Sequence, residues 1–169
     1  MHAAYTYEMT TRAANLLGAL STALVDTVSD STTSAAIVTL FNSPGLNVGG
    51  VARIIGLSHA GTVRVVDRLV GDGYVARERG NDGREVVLRL EPKGKRAARS
   101  ILDSRAAVLD NALGRLSADD QRTFERIAEQ LLAAVTPDPD VADHTCRMCD
   151  ERACPLASCP VECAIAEQR

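Results

Sequence analysis

The chain has 169 residues, 46% hydrophobic and 24% charged, with a formal net charge of −3. That is ordinary globular composition with enough apolar side chains for a core, in one domain or one domain with an appendage. No apolar run approaches the roughly 20 residues that would span a bilayer, and the overall charge argues against wholesale coating of a nucleic acid.

Aromatic residues make up 3% and Trp is absent, so Leu, Val, Ile and Ala must build the core, which favours helices. The opening Met1-His2-Ala3-Ala4-Tyr5 lacks the basic-then-apolar order of a signal peptide, and a cytoplasmic protein is expected. Charge is unevenly spread. Residues 53–105 hold 12 Lys and Arg against 7 Asp and Glu, a net +5, whereas the rest of the chain carries −8. A basic middle between acidic ends suits a face that meets a polyanion.

Leu16, Leu17, Leu20, Leu24 and Val28 follow three- and four-residue steps, which predicts an amphipathic helix ending near Asp30. Candidate caps at Ser31 to Ser34 precede a short apolar helix over Ala35–Phe41, stopped by Asn42-Ser43-Pro44-Gly45. A third helix is predicted over Val48–Ile55, capped by Asn47 and ended by Gly56 in the left-handed position. Ser58 caps the next, from His59 to about Gly71, which buries Val65, Val66 and Leu69.

Val48 to Gly71 therefore reads as helix, tight turn, helix. Two extended runs follow, Val75–Arg79 and Arg84–Leu90, around the turn Gly80-Asn81-Asp82-Gly83. Val86, Leu88 and Leu90 alternate with Val87 and Arg89 as in a half-buried strand. A helix-turn-helix followed at once by a hairpin is a winged helix.

Pro92 suits the first turn of a further helix that runs past Leu113, with Ala97, Ile101, Val108, Leu109 and Ala112 on its apolar side. Ser117 caps the next, whose predicted buried stripe is Phe124, Ile127, Ala128, Leu131, Leu132 and Val135, stopped by Pro137 and Pro139. These terminal helices carry wider apolar faces than a small winged domain covers. Either a second copy or an intramolecular bundle would cover them. The fold class is mostly α with a small β-hairpin wing, that is, a winged helix-turn-helix plus terminal dimerisation helices.

The helix after Ser58 is expected to enter the major groove. Ser58, His59 and Thr62 offer hydrogen bonds, Ala60 and Gly61 permit close approach, and Val63 suits a thymine methyl. Arg64 suits bidentate contact with guanine, while Arg68 either touches DNA or braces Asp67 or the hairpin. Arg84 at the wing tip fits the minor groove. Arg77, Arg79 and Lys93 are expected on the phosphate backbone.

Leu57-Ser58-His59-Ala60-Gly61-Thr62-Val63-Arg64-Val65-Val66-Asp67-Arg68-Leu69, then Gly73-Tyr74-Val75 and Asp82-Gly83-Arg84, resemble the MarR family of bacterial transcription regulators. The likeness in helical layout runs from about Tyr7 to Val135. The resemblance implies a homodimer, formed by the terminal helices, on double-stranded DNA at a pseudo-palindromic operator. It also implies repression and release by a small-molecule effector or oxidant. Thr62-Val63 reverses the frequent Val-Thr order of the family, and Glu91 stands where a Ser or Thr often caps the helix after the wing.

All five cysteines lie between Cys146 and Cys163, and the first 145 residues have none. A secreted disulfide scaffold would spread them. Cys146-x2-Cys149-x4-Cys154-x4-Cys159 has the spacing of zinc knuckles without their Gly and aromatic residues, with Cys163 and His144 as possible extra ligands. Zinc is the favoured metal. An iron–sulfur cluster is an alternative, since Cys159-Pro160 is similar to the Cys-Pro ending of ferredoxin motifs, and a thiol switch is a third reading.

His2, His59 and His144 form no catalytic constellation, and there is no P-loop, G-x-S-x-G or G-x-G-x-x-G, so an enzyme is not expected. The expected organisation is a winged-helix DNA-binding and dimerisation domain over 5–136 (core about 31–91), a linker over 137–145, a cysteine-rich metal-binding tail over 146–163 and an end over 164–169. Its expected function is that of a cytoplasmic, nucleoid-associated transcription regulator tuned by a ligand, metal or redox signal. The rival is a protein–protein adaptor built on the same scaffold.

Overall fold

The first turn of a helix leaves its N–H groups without partners, and short polar side chains placed just before each helix supply them here. Ser31 accepts from the Ser34 amide, Asn47 from Gly50, Ser58 from Gly61, Ser117 from Asp120 and Asp138 from Val141. The computed structural model describes residues 2–27, 31–80, 85–152, 154 and 156–166. In chain order these form α1 (His2–Thr27), α2 (Thr32–Asn42), α3 (Val48–Ile55), α4 (His59–Gly71), β1 (Val75–Arg79), β2 (Val86–Leu90), α5 (Pro92–Leu113), α6 (Ala118–Ala134), α7 (Pro139–Cys146) and α8 (Pro160–Ala166), with a 3₁₀ turn at Leu156–Ser158. No helix among the described residues is long and apolar enough to cross a membrane.

The turn between α3 and α4 forms as expected. Gly56 takes φ +70° after α3, where a side chain would be strained, and Ser58 then starts α4. β1 and β2 pair antiparallel from Val75↔Leu90 to Arg79↔Val86. The segment after α2 extends this small sheet: the Leu88 amide donates to the Leu46 carbonyl (2.8 Å) and the Gly45 amide to the Leu88 carbonyl (3.3 Å). The wing alternates differently from expectation. Val86, paired at the far end of the hairpin, is half exposed, whereas Val87 is buried beside Gly80 together with Leu88 and Leu90.

Val38, Leu40, Val51, Val66, Leu69 and Leu88 fill the space between α2, α3, α4 and the hairpin, each at most 1% exposed. Each such side chain contributes about 1.5–3 kcal/mol through removal from water. α5 closes this core with Ala98 and Leu102. It approaches through Gly94, where a Cβ would lie 2.2 Å from the Tyr74 carbonyl oxygen. Any larger residue would push α5 off the hairpin.

α1 and α6 behave differently. Every residue from 11 to 23 is exposed, including Leu16, Leu17 and Leu20; the side chain of Leu24 and all of Val28 lie outside the described residues. The stripe expected to be buried on α6 is uncovered within one chain: Phe124, Ile127, Leu131 and Val135 are 41–61% exposed, and α6 has no fully buried residue. Among the described residues α8 covers only the Leu132 side of this stripe and leaves Phe124, Ile127, Leu131 and Val135 in solvent, so the intramolecular bundle does not close over it.

The expected linker over 137–145 is corrected to a helix. α6 ends at Ala134 ahead of Pro137, as expected, but Asp138 then caps α7 and Pro139 occupies its first turn, so the second proline also opens a helix. α7 packs on α3, and the tail is no loose appendage. Met148 enters the main core, while Ala142, Cys159, Val161 and Ile165 form a second small core against Leu132 of α6.

Candidate nucleic-acid interface and cysteine cavity

α4 presents its N-terminal residues outward because its opposite face carries Val66 and Leu69. Ser58, His59, Ala60, Arg64 and Arg68 are exposed, and Val63 is half-buried at their edge. Thr62 is a correction. It is fully buried, and its hydroxyl donates to the Ser58 carbonyl (3.0 Å), so it holds the first turn of α4 and offers nothing to a base. One helical step separates it from Val63, enough to turn it inward. The positive end of the α4 dipole faces the same way as Ser58, which favours an approaching phosphate.

The basic residues expected on the backbone divide into two groups. Arg77 Nη2 donates to Asp67 Oδ1 (2.7 Å), tying β1 to α4; it takes the bracing role considered for Arg68. Lys93 Nζ donates to the Asp72 carbonyl (2.7 Å) and lies 4.2 Å from the centre of the Tyr74 ring, so it secures the end of α4. Arg79 is exposed on the wing strand. Arg84, with the rest of the wing tip at 81–84, lies outside the described residues. At the wing base Arg89 pairs with Glu78 (2.8 Å), and Asn47 donates to Glu85, linking the α3 cap to β2.

The tail meets the other side of the same helices. Arg53 on α3 pairs with Asp140 (2.8 Å) and Asp143 (2.5 Å) of α7. His144 Nδ1 donates to the Ile54 carbonyl (2.9 Å); since a carbonyl only accepts, that nitrogen carries the proton. The imidazole covers Gly56, where an added Cβ would sit 2.9 Å from His144 Cε1. Asn42 at the end of α2 donates to the Cys149 carbonyl (3.0 Å).

Between these contacts lies a cavity of ≈ 70 Å³ lined by Cys146, Cys149, Cys154 and Cys159, with Asn42 and Ile54 on its far wall. The thiols are set in two pairs, Cys146 hydrogen-bonded to Cys149 and Cys154 to Cys159. That first bond draws the Cys149 thiol down to about 7, opposed by burial and helped by Arg105, and moves Cys146 the other way. Burial, then the neighbouring Cys159, pushes Cys154 up. His144 and Cys163 stand apart from the cavity: His144 is spent on α3, and the exposed Cys163 faces the Ala157 carbonyl (3.7 Å). Among the described residues no three His, Cys, Asp or Glu side chains already form a metal-holding group.

Comparison with known proteins agrees with this geometry. Residues 27–85, which run through α2, α3, α4 and β1, match the MarR family. Over that stretch the chain is similar to the MarR family. That family consists of transcription regulators and not enzymes. A curated relative, the uncharacterized HTH-type transcriptional regulator YwhA of Bacillus subtilis, is 25% identical over 93 residues, covering 54% of this chain and 67% of its own. The PcaV transcriptional regulator of Streptomyces coelicolor is 27% identical with a TM-score of 0.55, over 74% of this chain and 96% of that one. PcaV has also been solved with its natural ligand. The MarR family protein Rv2887 of Mycobacterium tuberculosis, in complex with DNA, shares the fold at 24% identity and a TM-score of 0.52, over 73% and 94% of the two chains. Among the site residues, sequence reasoning missed Asp140, Asp143 and Asn42, because pairing across about 90 or more positions leaves no local signal.

Proposed function

We propose that this MarR-type regulator binds a pseudo-palindromic operator as a homodimer and represses from it, with α4 of each copy in a major groove. The observation that carries this reading is the outward N-terminal face of α4, where Ser58, His59, Ala60 and Arg64 are exposed beside a buried Thr62. Ser58 and His59 meet phosphate or base edges, Arg64 meets a guanine, and Arg84 at the wing reaches the minor groove. Arg79 and Arg68 are left for phosphates, whereas Arg77 and Lys93 act mainly by holding α4 in place. Two such helices become one reader only if the copies are joined. The exposed apolar residues of α1 and α6 support that junction. The ligand complex of PcaV supports release by a small effector.

Footprinting and gel-shift titration on the DNA upstream of the gene test the reading. A protected site with two-fold symmetry and saturation by two chains is the expected result. Arg84→Ala should weaken all sequences alike and lower the salt slope by about 1, while Arg64→Ala should change base preference. Absence of sequence-specific duplex binding at physiological salt would overturn the proposal in favour of the adaptor.

A further inference from the structure

We propose that the thiolates of Cys146, Cys149, Cys154 and Cys159 hold one thiophilic metal centre, and that this centre pins the tail to α2 and α3 of the helix-turn-helix. The inference goes beyond the DNA-binding reading and stands whether or not α4 reads an operator. Four cysteines within 14 residues come to line a single cavity, although they arise from three places: the end of α7, the turn after it, and the approach to α8. All are free thiols, and Cys159 is buried.

Their pairing suits metal ligation. With Zn–S bonds of about 2.3 Å, tetrahedral sulfurs stand about 3.8 Å apart, which is the reach of a thiol–thiol hydrogen bond. All four thiols line the one cavity, Cys146 interacting with Cys149 and Cys154 with Cys159. Bringing the two pairs onto one ion takes side-chain rotation about the Cα–Cβ bonds. The charge of the wall points the same way: Asp143, Glu151 and Glu162 line the cavity, with Arg147 as the cation among its lining residues. Such a site favours a cation that replaces the thiol protons.

The cavity's far wall explains why the centre would matter beyond the tail. Asn42 grips the Cys149 backbone, Met148 sits in the main core, and Arg53 and His144 clamp α7 onto α3 and its Gly56 turn. A tail held rigid by ligation therefore holds α3 and the Gly56 turn that leads into α4. Metal binding and local folding would be linked, as in other small thiolate sites.

The test uses the full chain purified anaerobically. Metal and acid-labile sulfide are measured per chain, thiols are counted by alkylation, and amide exchange is followed with and without chelation. The expected result is about one metal equivalent, with Cys163 the only fast-reacting thiol of the five until the metal is removed. Chelation should then expose all five thiols and remove exchange protection from both α7 and α3. Zinc without sulfide and iron with sulfide both support the thiolate site, and distinguish a single ion from a cluster. Cys163→Ser should keep the metal, whereas Cys149→Ser and Cys154→Ser should lose it. A metal-free chain with five equally reactive thiols overturns the proposal even if the serine variants misfold. Unchanged α3 exchange on chelation overturns the pinning.

Discussion

The two halves of this molecule treat apolar side chains in opposite ways. In the winged helix, leucines and valines from α2, α3, α4 and β2 close over one another until Val38, Val51, Val66 and Leu88 have no contact with water. In α1 and α6 the same residue types, at the same helical spacing, stand in solvent: Leu16 is 59% exposed and Val135 61%. Periodicity alone states that a face is to be buried, and says nothing about whose surface buries it. The winged helix finishes its core within one chain, whereas the outer helices leave apolar stripes in solvent. That contrast separates a core closed by its own chain from faces that the described residues leave open.

The largest effects are expected from one substitution in each half, a cavity in the closed core and a charge on the open stripe. Leu40→Ala, in the closed core, should cost about 3–5 kcal/mol, read as a lowered urea midpoint that accompanies loss of all helical signal. Leu131→Asp, on the open stripe, should instead cost about 2–4 kcal/mol of self-association and leave the winged helix folded. Sedimentation at several concentrations, with circular dichroism alongside, distinguishes the two. Equal loss of helix in both variants would show that the halves fold as one unit.

A smaller effect is expected on the reading face. Arg64→Ala removes an exposed side chain that touches no core, so stability should hold while base discrimination falls by about 1–3 kcal/mol, measured with operator variants in competition. Smaller again is Ser58→Ala. It removes one cap from α4 and should cost about 1 kcal/mol, seen as faster amide exchange in the first turn of α4 with β1 and β2 unaffected. If Ser58→Ala instead loosens α7 as well, the clamp between the turn and the tail is tighter than its hydrogen bonds indicate.

Much of the reading head was legible in the residues alone. Asn47, Ser58 and Ser117 cap the helices expected of them, Gly56 takes the left-handed turn, and α3 spans Val48–Ile55 as the spacing predicts. Each of these outcomes depends on partners no more than four positions away, so the chain carries the whole cause locally. Errors arose where that local reach ends. Pro139, which helps to stop α6, also stands in the first turn of α7, and that second role goes with the packing of α7 on α3. Val86 stands exposed at the hairpin's last pair, while Val87 on the other face is buried beside Gly80. The cysteine spacing marked a site without revealing what it touches.

The residues alone were enough for the helix-turn-helix, its caps and the paired strands of its wing, since short-range hydrogen bonds and the alternation of apolar residues suffice for them. Only the tertiary structure decided that Thr62 turns inward and that the stripe on α6 stays open. It alone brought four cysteines to one cavity against α2 and α3. Those outcomes rest on contacts between residues distant in the chain, such as Asn42 with Cys149 and Arg53 with Asp143. Their energy exists only once the helices have packed, because a side chain's partner across the fold is set by where whole helices lie and not by its own neighbours.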